Sequence, residues 1–478
     1  MADEKHQDAG TSTYDVVVIG AGPVGENVAA RAQQGGLTAC IVEAHLVGGE
    51  CSYYACIPSK ALLRPVQLRA ATERVRGVGA AALDVAEVLA RRDEKISNRD
   101  DEGQVEWLGE AGIDLVRGHG RLAGVRRVEV TDSDGSVRAL EARHAVVVAT
   151  GTTAAIPPIT GLREAEPWTN REATTAGSVP RRLVVLGGGV VACEMAQAYA
   201  GLGSEVVLVE RGDRLLARTE DIAGDLVADG LRSSGVDVRL GVQATKVDRD
   251  QASGEVTVGL DDGTTVMADE VLAALGRTPA SDDIGLETVG LEPGGYLDVD
   301  DSMRVTAVEG GWLYAAGDLN GRNLLTHMGK YQARVCGDVI VARAAGRADD
   351  GPSLVAAADH LGAPQVIFTD PEVAAVGMTS ARAREGGIDI EVVDVEMSSA
   401  SGAGMLADGY VGKARLVVDQ TRRVVIGATF VGQDTAEMVH AATIAVVGEV
   451  PIELLWHAIP SFPTMSEVWL RLLEKYGL

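Results

Sequence analysis

Two stretches of this chain repeat the same local plan, and that repetition restricts the fold more than any other feature. Tyr14-Asp15-Val16-Val17-Val18-Ile19 is a β-branched run that stops at Gly20-Ala21-Gly22-Pro23-Val24-Gly25. A helix-compatible segment follows, then the apolar run Ala39-Cys40-Ile41-Val42, which closes on Glu43. The second copy of the plan is Leu183-Val184-Val185-Leu186, then Gly187-Gly188-Gly189-Val190-Val191-Ala192, a helical segment, and Glu205-Val206-Val207-Leu208-Val209 closing on Glu210. Each reads as strand, glycine turn, helix and strand with a terminal acid. The glycines let the backbone approach a pyrophosphate at a helix N-terminus, and the acid accepts ribose hydroxyls. Ala192 in place of a third glycine is a tolerated variant. Gly20, Gly22, Gly25 and Glu43 are therefore candidates for one dinucleotide, and Gly187, Gly189 and Glu210 for another.

Parallel strands buried on both faces need Val, Leu, Ile and Ala. The composition agrees: aromatic residues are only 4% of the 478, while glycine numbers 58. This length predicts about two to four domains. A net charge of −26 argues against nucleic acid or an anionic membrane as partner. The most apolar region, Leu183 to Val209, is interrupted by three glycines and carries Glu194, so no membrane span is expected. Met1 to Thr13 is polar and acidic without an apolar core, which reads as a frayed tail and not a signal peptide. A cytoplasmic protein is expected. Five cysteines are too few for a disulfide scaffold. Cys40, Cys193 and Cys336 lie in apolar surroundings and are expected to be inert. No metal-ligand set is expected.

Cys51 and Cys56 form the one close pair, in Gly48-Gly49-Glu50-Cys51-Ser52-Tyr53-Tyr54-Ala55-Cys56-Ile57-Pro58-Ser59-Lys60. Pro58 suits the first turn of a helix, which puts Cys56 near a helix N-terminus whose partial positive charge favours a thiolate. Lys60 adds a cation one turn on. The stretch resembles the redox-active cysteine motif of the pyridine nucleotide–disulfide oxidoreductases, the family of dihydrolipoamide dehydrogenase, glutathione reductase and mercuric reductase. Other segments resemble that family in its order. Ala145-Val146-Val147-Val148-Ala149-Thr150-Gly151 is similar to the strand by which it leaves its first domain. Gly276-Arg277-Thr278-Pro279 is similar to its return from the nicotinamide domain, and Leu313-Tyr314-Ala315-Ala316-Gly317-Asp318 to its second flavin signature.

The resemblance spans roughly residues 14 to 478. It implies an α/β fold with two Rossmann-like dinucleotide-binding domains plus a C-terminal α+β interface (dimerisation) domain. Residues 14–151 and 280–350 would form the FAD-binding domain, 152–279 the NAD(P)-binding domain and 351–478 the interface of a homodimer. FAD would meet Gly20, Gly22, Gly25, Glu43, Gly49, Lys60, Gly120, Thr150, Gly151, Asp318, Thr326 and His327. His119 reads as an ordinary histidine beside Gly120. NAD(P)H would meet Gly187, Gly189, Glu194, Glu210 and Gly276. Glu210 would repel a 2′-phosphate and favour NADH, while Arg211 and Arg214 keep NADPH open. Lys60 and Glu194 would form a buried pair near the flavin. Hydride would pass from NADH through FAD to a Cys51–Cys56 disulfide, with Cys56 against the flavin and Cys51 facing substrate. Residues 60–110 read as a pair of helices without catalytic content.

The pattern breaks near the C-terminus. The family reads His-Pro-Thr followed by a glutamate, an acid–base pair offered across the dimer interface. Here the stretch is Ser461-Phe462-Pro463-Thr464-Met465-Ser466-Glu467. Glu467 is present, but a phenyl ring moves no proton, and His457 lies five residues too early for the motif. Mercuric reductases lack this histidine too, but carry C-terminal cysteines, and no cysteine follows Cys336 here. Reduction of a small disulfide-type acceptor is the first reading. A quinone reductase with direct flavin-to-acceptor transfer, or a dihydrolipoyl dehydrogenase-like enzyme, is the alternative. A non-enzymatic flavin redox sensor ranks last, since it leaves the cysteines, Lys60 and Glu194 without purpose.

Overall fold

The computed structural model describes residues 11–79 and 82–478. Most of the expected N-terminal tail lies outside the described residues. Its last part belongs to a strand: Ser12 pairs with Leu140 and Thr13 with Glu141, so order begins before Tyr14. The described residues form two compact units, one from residues 11–56, 96–153 and 277–359, the other from residues 57–79, 82–95, 154–276 and 360–478.

In the first unit four parallel strands, Asp114–Arg117, Ala39–Glu43, Ser12–Ile19 and Val137–Val148, lie side by side, with Leu313–Ala315 also parallel to Val137–Val148. The antiparallel strands Arg127–Thr131 and His119–Leu122 extend the sheet beyond the turn at Asp134-Gly135. Because side chains alternate, Val16 and Val18 pack with the helices Pro23–Gln34 and Thr326–Ala344, while Val17 and Ile19 pack with Leu122, Val128 and Leu313 on the other face. Both faces are thus covered, which explains why the strands read as unbroken apolar runs.

In the second unit the parallel order is Asp237–Leu240, Glu205–Glu210, Arg182–Leu186, Glu270–Ala273. Helices Val190–Leu202 and Asp221–Ser233 cover one face together with Leu62, Leu63 and Val66. A three-stranded antiparallel sheet, Ala244–Arg249, Val256–Leu260 and Thr265–Ala268, contributes to the other face. The C-terminal part is a five-stranded antiparallel sheet, in the order Gln365–Ile367, Glu372–Gly377, Val424–Gly432, Lys413–Asp419, Ile390–Glu396. Helices Val439–Val447 and Val468–Tyr476 contribute to its core.

The region 60–110 departs from the expected helix pair. It holds three α-helices, Cys56–Glu73, Val85–Lys95 and Glu102–Glu110, with residues 80–81 outside the described set. The extra break has a local cause. Ser97, Asn98 and Arg99 take positive φ (49°, 52° and 61°), which no right-handed helix continues through. No helix among the described residues is long and apolar enough to cross a membrane.

Candidate functional site

The two glycine turns have the shape a dinucleotide requires. At Gly25 a Cβ would lie 1.9 Å from the Gly20 carbonyl oxygen, so the turn closes only around hydrogen. At Gly22 and Gly189, each the residue before a helix, a Cβ would meet nothing within 4 Å. Open space there, in front of unpaired helix N–H groups, is where an anionic linkage approaches. The terminal acids are held in readiness. Glu43 accepts from the Ala21 and His45 N–H groups at 2.6 and 2.7 Å, and Glu210 from the Gly212 N–H at 2.6 Å. Gly120 packs so closely that a Cβ would lie 2.8 Å from Val42 Cγ1. These features fit FAD on the first unit and a nicotinamide dinucleotide on the second.

The cysteine stretch is folded onto the first turn. Gly48 and Gly49 take left-handed φ (107° and 59°), and a Cβ on Gly49 would sit 2.8 Å from Gly22 Cα. Cys51 lies in the short helix Gly49–Tyr53, and Cys56 is the first residue of helix Cys56–Glu73, as the proline-based reading expects. Both are half-buried. They converge on one hydroxyl. Thr326 Oγ1 donates to Cys51 Sγ at 3.1 Å and lies 3.4 Å from Cys56 Sγ. Thr326 opens helix Thr326–Ala344, so a hydroxyl and a helix N-terminus face the two sulfurs together. His327 beside it is exposed on the protomer.

A chain of polar contacts ties this stretch to Asp318. Glu50 pairs with Arg277 at 2.9 Å. Arg277 Nε donates to Thr152 Oγ1 at 2.9 Å, and that hydroxyl donates to Asp318 Oδ2 at 2.9 Å. Burial raises the Asp318 carboxyl above its ordinary value, against the Thr152 hydrogen bond and Arg277, while Glu50 adds to the rise. Thr150 donates to the Ala280 carbonyl at 2.7 Å, and Gly151 (φ 71°) makes the turn between Thr150 and Thr152. Gly276 likewise has positive φ, 126°.

In the second unit Lys60 Nζ meets Glu194 Oε2 at 2.7 Å, and the Lys60 and Glu194 side chains are 34% and 4% exposed. The Phe368 N–H donates to Glu194 Oε1 at 2.9 Å, and Lys60 Nζ stands 5.0 Å from the centre of the Phe368 ring. The expected pair is present. Its third member was not foreseen, because a backbone donor leaves no sequence signal. Phe462, by contrast, is 76% exposed, and His457 is exposed too. Glu467 is buried, and its Oε2 has no hydrogen-bond partner among the described residues.

The remaining thiols are buried, and burial pushes Cys40 up to about 12 and Cys193 and Cys336 higher still. An unforeseen acid is Glu26, in the first turn of helix Pro23–Gln34. Its Oε1 is buried without a partner. Burial raises it to about 7, Lys330 opposes the rise and Glu43 adds to it. The folded state therefore holds this proton more tightly than the unfolded chain. Stability is lost progressively between about pH 4.5 and 7, as the unfolded chain ionises this group first, and the full deficit persists above that window. Glu26→Gln is expected to raise the thermal midpoint at pH 8 and leave it unchanged at pH 4, as scanning calorimetry of the FAD-loaded protein would read.

Residues 14–346 match the pyridine nucleotide-disulphide oxidoreductase family and residues 363–472 its dimerisation domain. A dihydrolipoyl dehydrogenase of Haloferax volcanii is 33% identical, covering 98% of this chain and 97% of the relative. A glutathione reductase of Burkholderia cepacia is 30% identical over 97% and 99%. Among solved structures, LpdA from Mycobacterium tuberculosis superposes with a TM-score of 0.82 at 25% identity, covering 98% of this chain and 100% of that one. The HOCl-induced flavoprotein disulfide reductase RclA from Escherichia coli, as its Cu(II) complex, shares the fold with a TM-score of 0.83 at 24% identity, over 97% and 99%. Two glycine cradles, a cysteine pair packed on the first of them and matches along nearly the whole chain lead to one conclusion: the chain belongs to the pyridine nucleotide-disulphide oxidoreductases, enzymes that work with FAD and NAD(P)H.

Proposed function

We propose that this chain is an NADH-dependent reductase of a small disulfide-type acceptor, acting through Cys51 and Cys56 as a cytoplasmic homodimer. The observation that carries the reading is the convergence of both sulfurs on the Thr326 hydroxyl at a helix N-terminus. A pair held to one donor is poised to exist as dithiol or bridge. Residues 14–151 and 280–350 would hold FAD, 152–279 the nicotinamide dinucleotide, and 351–478 would pair the subunits. Gly20, Gly22, Gly25, Gly49 and Gly120 would admit FAD, with Glu43 on a ribose and Thr150, Gly151, Asp318, Thr326 and His327 along the remainder. When bound, FAD supplies the conversion of a hydride into an electron pair for sulfur. Gly187, Gly189 and Gly276 would admit the nicotinamide dinucleotide. Glu210, a carboxylate with no arginine paired to it among the described residues, supports NADH over NADPH, whose 2′-phosphate it would repel. Lys60 and Glu194 would set the charge beside the reacting ring.

With both thiols reduced, the Cys51 thiolate attacks one acceptor sulfur and releases the other as a thiolate, leaving a mixed disulfide. The Cys56 thiolate then attacks Cys51, forming the Cys51–Cys56 bridge and releasing the second thiolate. Each released thiolate needs a proton. Phe462 supplies none, and this favours an acceptor with acidic thiols or a second reading, a quinone that takes electrons without sulfur exchange. Glu467 would orient the partner of whichever group delivers that proton. A turnover screen of lipoamide, small disulfides and quinones separates the two readings. Cys51→Ser is expected to abolish disulfide reduction; if only quinones turn over, and equally well in Cys51→Ser, the disulfide reading fails.

A further inference from the structure

A cavity of about 140 Å³ lies in the first unit, lined by Arg126, His144, Tyr314, Ile340 and Arg343 among others. Arg343 and Ala344 belong to the last turn of helix Thr326–Ala344, whereas Thr326 opens that helix beside the cysteines. Seventeen helical steps separate Thr326 from Arg343, about 25 Å, so the cavity stands apart from the redox site.

Its lining is unusual for a protein of net charge −26. The basic groups lining it are Arg126, His144 and Arg343, and the ion pairs next to it involve Arg143, Arg304, Asp15, Asp300 and Asp349. Arg143 pairs with Asp15 at 3.0 Å, Arg304 with Asp300 at 2.7 Å, and Arg304 and Arg343 share Asp349 at 3.0 and 3.1 Å. His144 Nε2 lies 3.9 Å from Asp15. Arg126 has no ion-pair partner among the described residues and is carried by a backbone of positive φ, 58°. The acids are thus spoken for, and one guanidinium is left over.

The second observation is Tyr314. It is 1% exposed, yet its hydroxyl has no hydrogen-bond partner among the described residues. That oxygen is not among the fully buried polar atoms lacking a partner, so it opens onto space, and its residue lines the cavity. The volume is ample for a small group such as phosphate. Two guanidiniums, an imidazole and a phenol are all donors that a tetrahedral oxyanion accepts.

We propose that this cavity is a binding site for a small phosphate-type oxyanion, held by Arg126, Arg343, His144 and the Tyr314 hydroxyl. The anion is either free phosphate or the head of a phosphate monoester whose remainder leaves the cavity. Isothermal titration of the FAD-loaded protein with inorganic phosphate, and separately with glycerol 3-phosphate, tests it at constant ionic strength. Saturable binding of either probe is expected, weakened at least tenfold in Arg126→Ala and in Tyr314→Phe, the latter losing only a hydroxyl without a partner. Binding of glycerol 3-phosphate alone would support the monoester form, and binding of both probes the free anion. Absence of saturable binding by both probes, or binding that both variants retain at wild-type strength, would overturn the proposal.

Discussion

Phe462→His is expected to raise turnover with lipoamide by about 10²-fold or more, the lower end of what a positioned acid–base group contributes. Phe462 is exposed on the protomer, so an imidazole there disrupts no packing within the chain. Glu467 is already buried five residues on, with Oε2 lacking a partner among the described residues, and an imidazole N–H is the donor that such an oxygen accepts. Steady-state NADH oxidation with lipoamide reads the effect. Quinone turnover should change by less than about threefold, because that route has no leaving thiolate to protonate. Equal rates in the variant and wild type with lipoamide would show that the missing imidazole is not what limits exchange.

Lys60→Met is expected to destabilise the folded protein by about 3 kcal/mol, the lower end of the cost of leaving a buried charge without its partner. The two halves of the pair are unequal. Glu194 is 4% exposed and would keep only the Phe368 N–H, whereas Lys60 is 34% exposed and can turn to water. Glu194→Gln should therefore cost clearly less than Lys60→Met, and the double variant less than the sum of the two. Chemical denaturation of the FAD-loaded proteins orders the three. Equal losses from both single variants would contradict the asymmetry.

The parts of the fold that could be read from the residues are those with a strong local signal. Val16 to Ile19 and Leu183 to Leu186 must be buried strands, and only glycine fits Gly25 against the Gly20 carbonyl. The helix that begins at Cys56 follows from Pro58 and the turn before it. What stayed hidden depends on contacts far apart in sequence. The Phe368 N–H beneath Glu194, and the path from Glu50 through Arg277 and Thr152 to Asp318, join residues more than a hundred positions apart. The helix break at Ser97-Asn98-Arg99 was missed for a different reason: three residues without glycine or proline carry it, and only their φ angles reveal it. The sulfur contacts of Thr326 were equally silent, since a threonine among Leu325 and His327 has no spacing rule to mark it.

The account rests on electrons entering the Cys51–Cys56 pair, and anaerobic titration of the FAD-loaded protein with NADH tests it most directly. The result predicted is a long-wavelength thiolate-to-flavin absorption band in the wild type, absent in Cys56→Ser, with two titratable thiols gained per chain. A wild type that bleaches without that band and gains no thiols would contradict it.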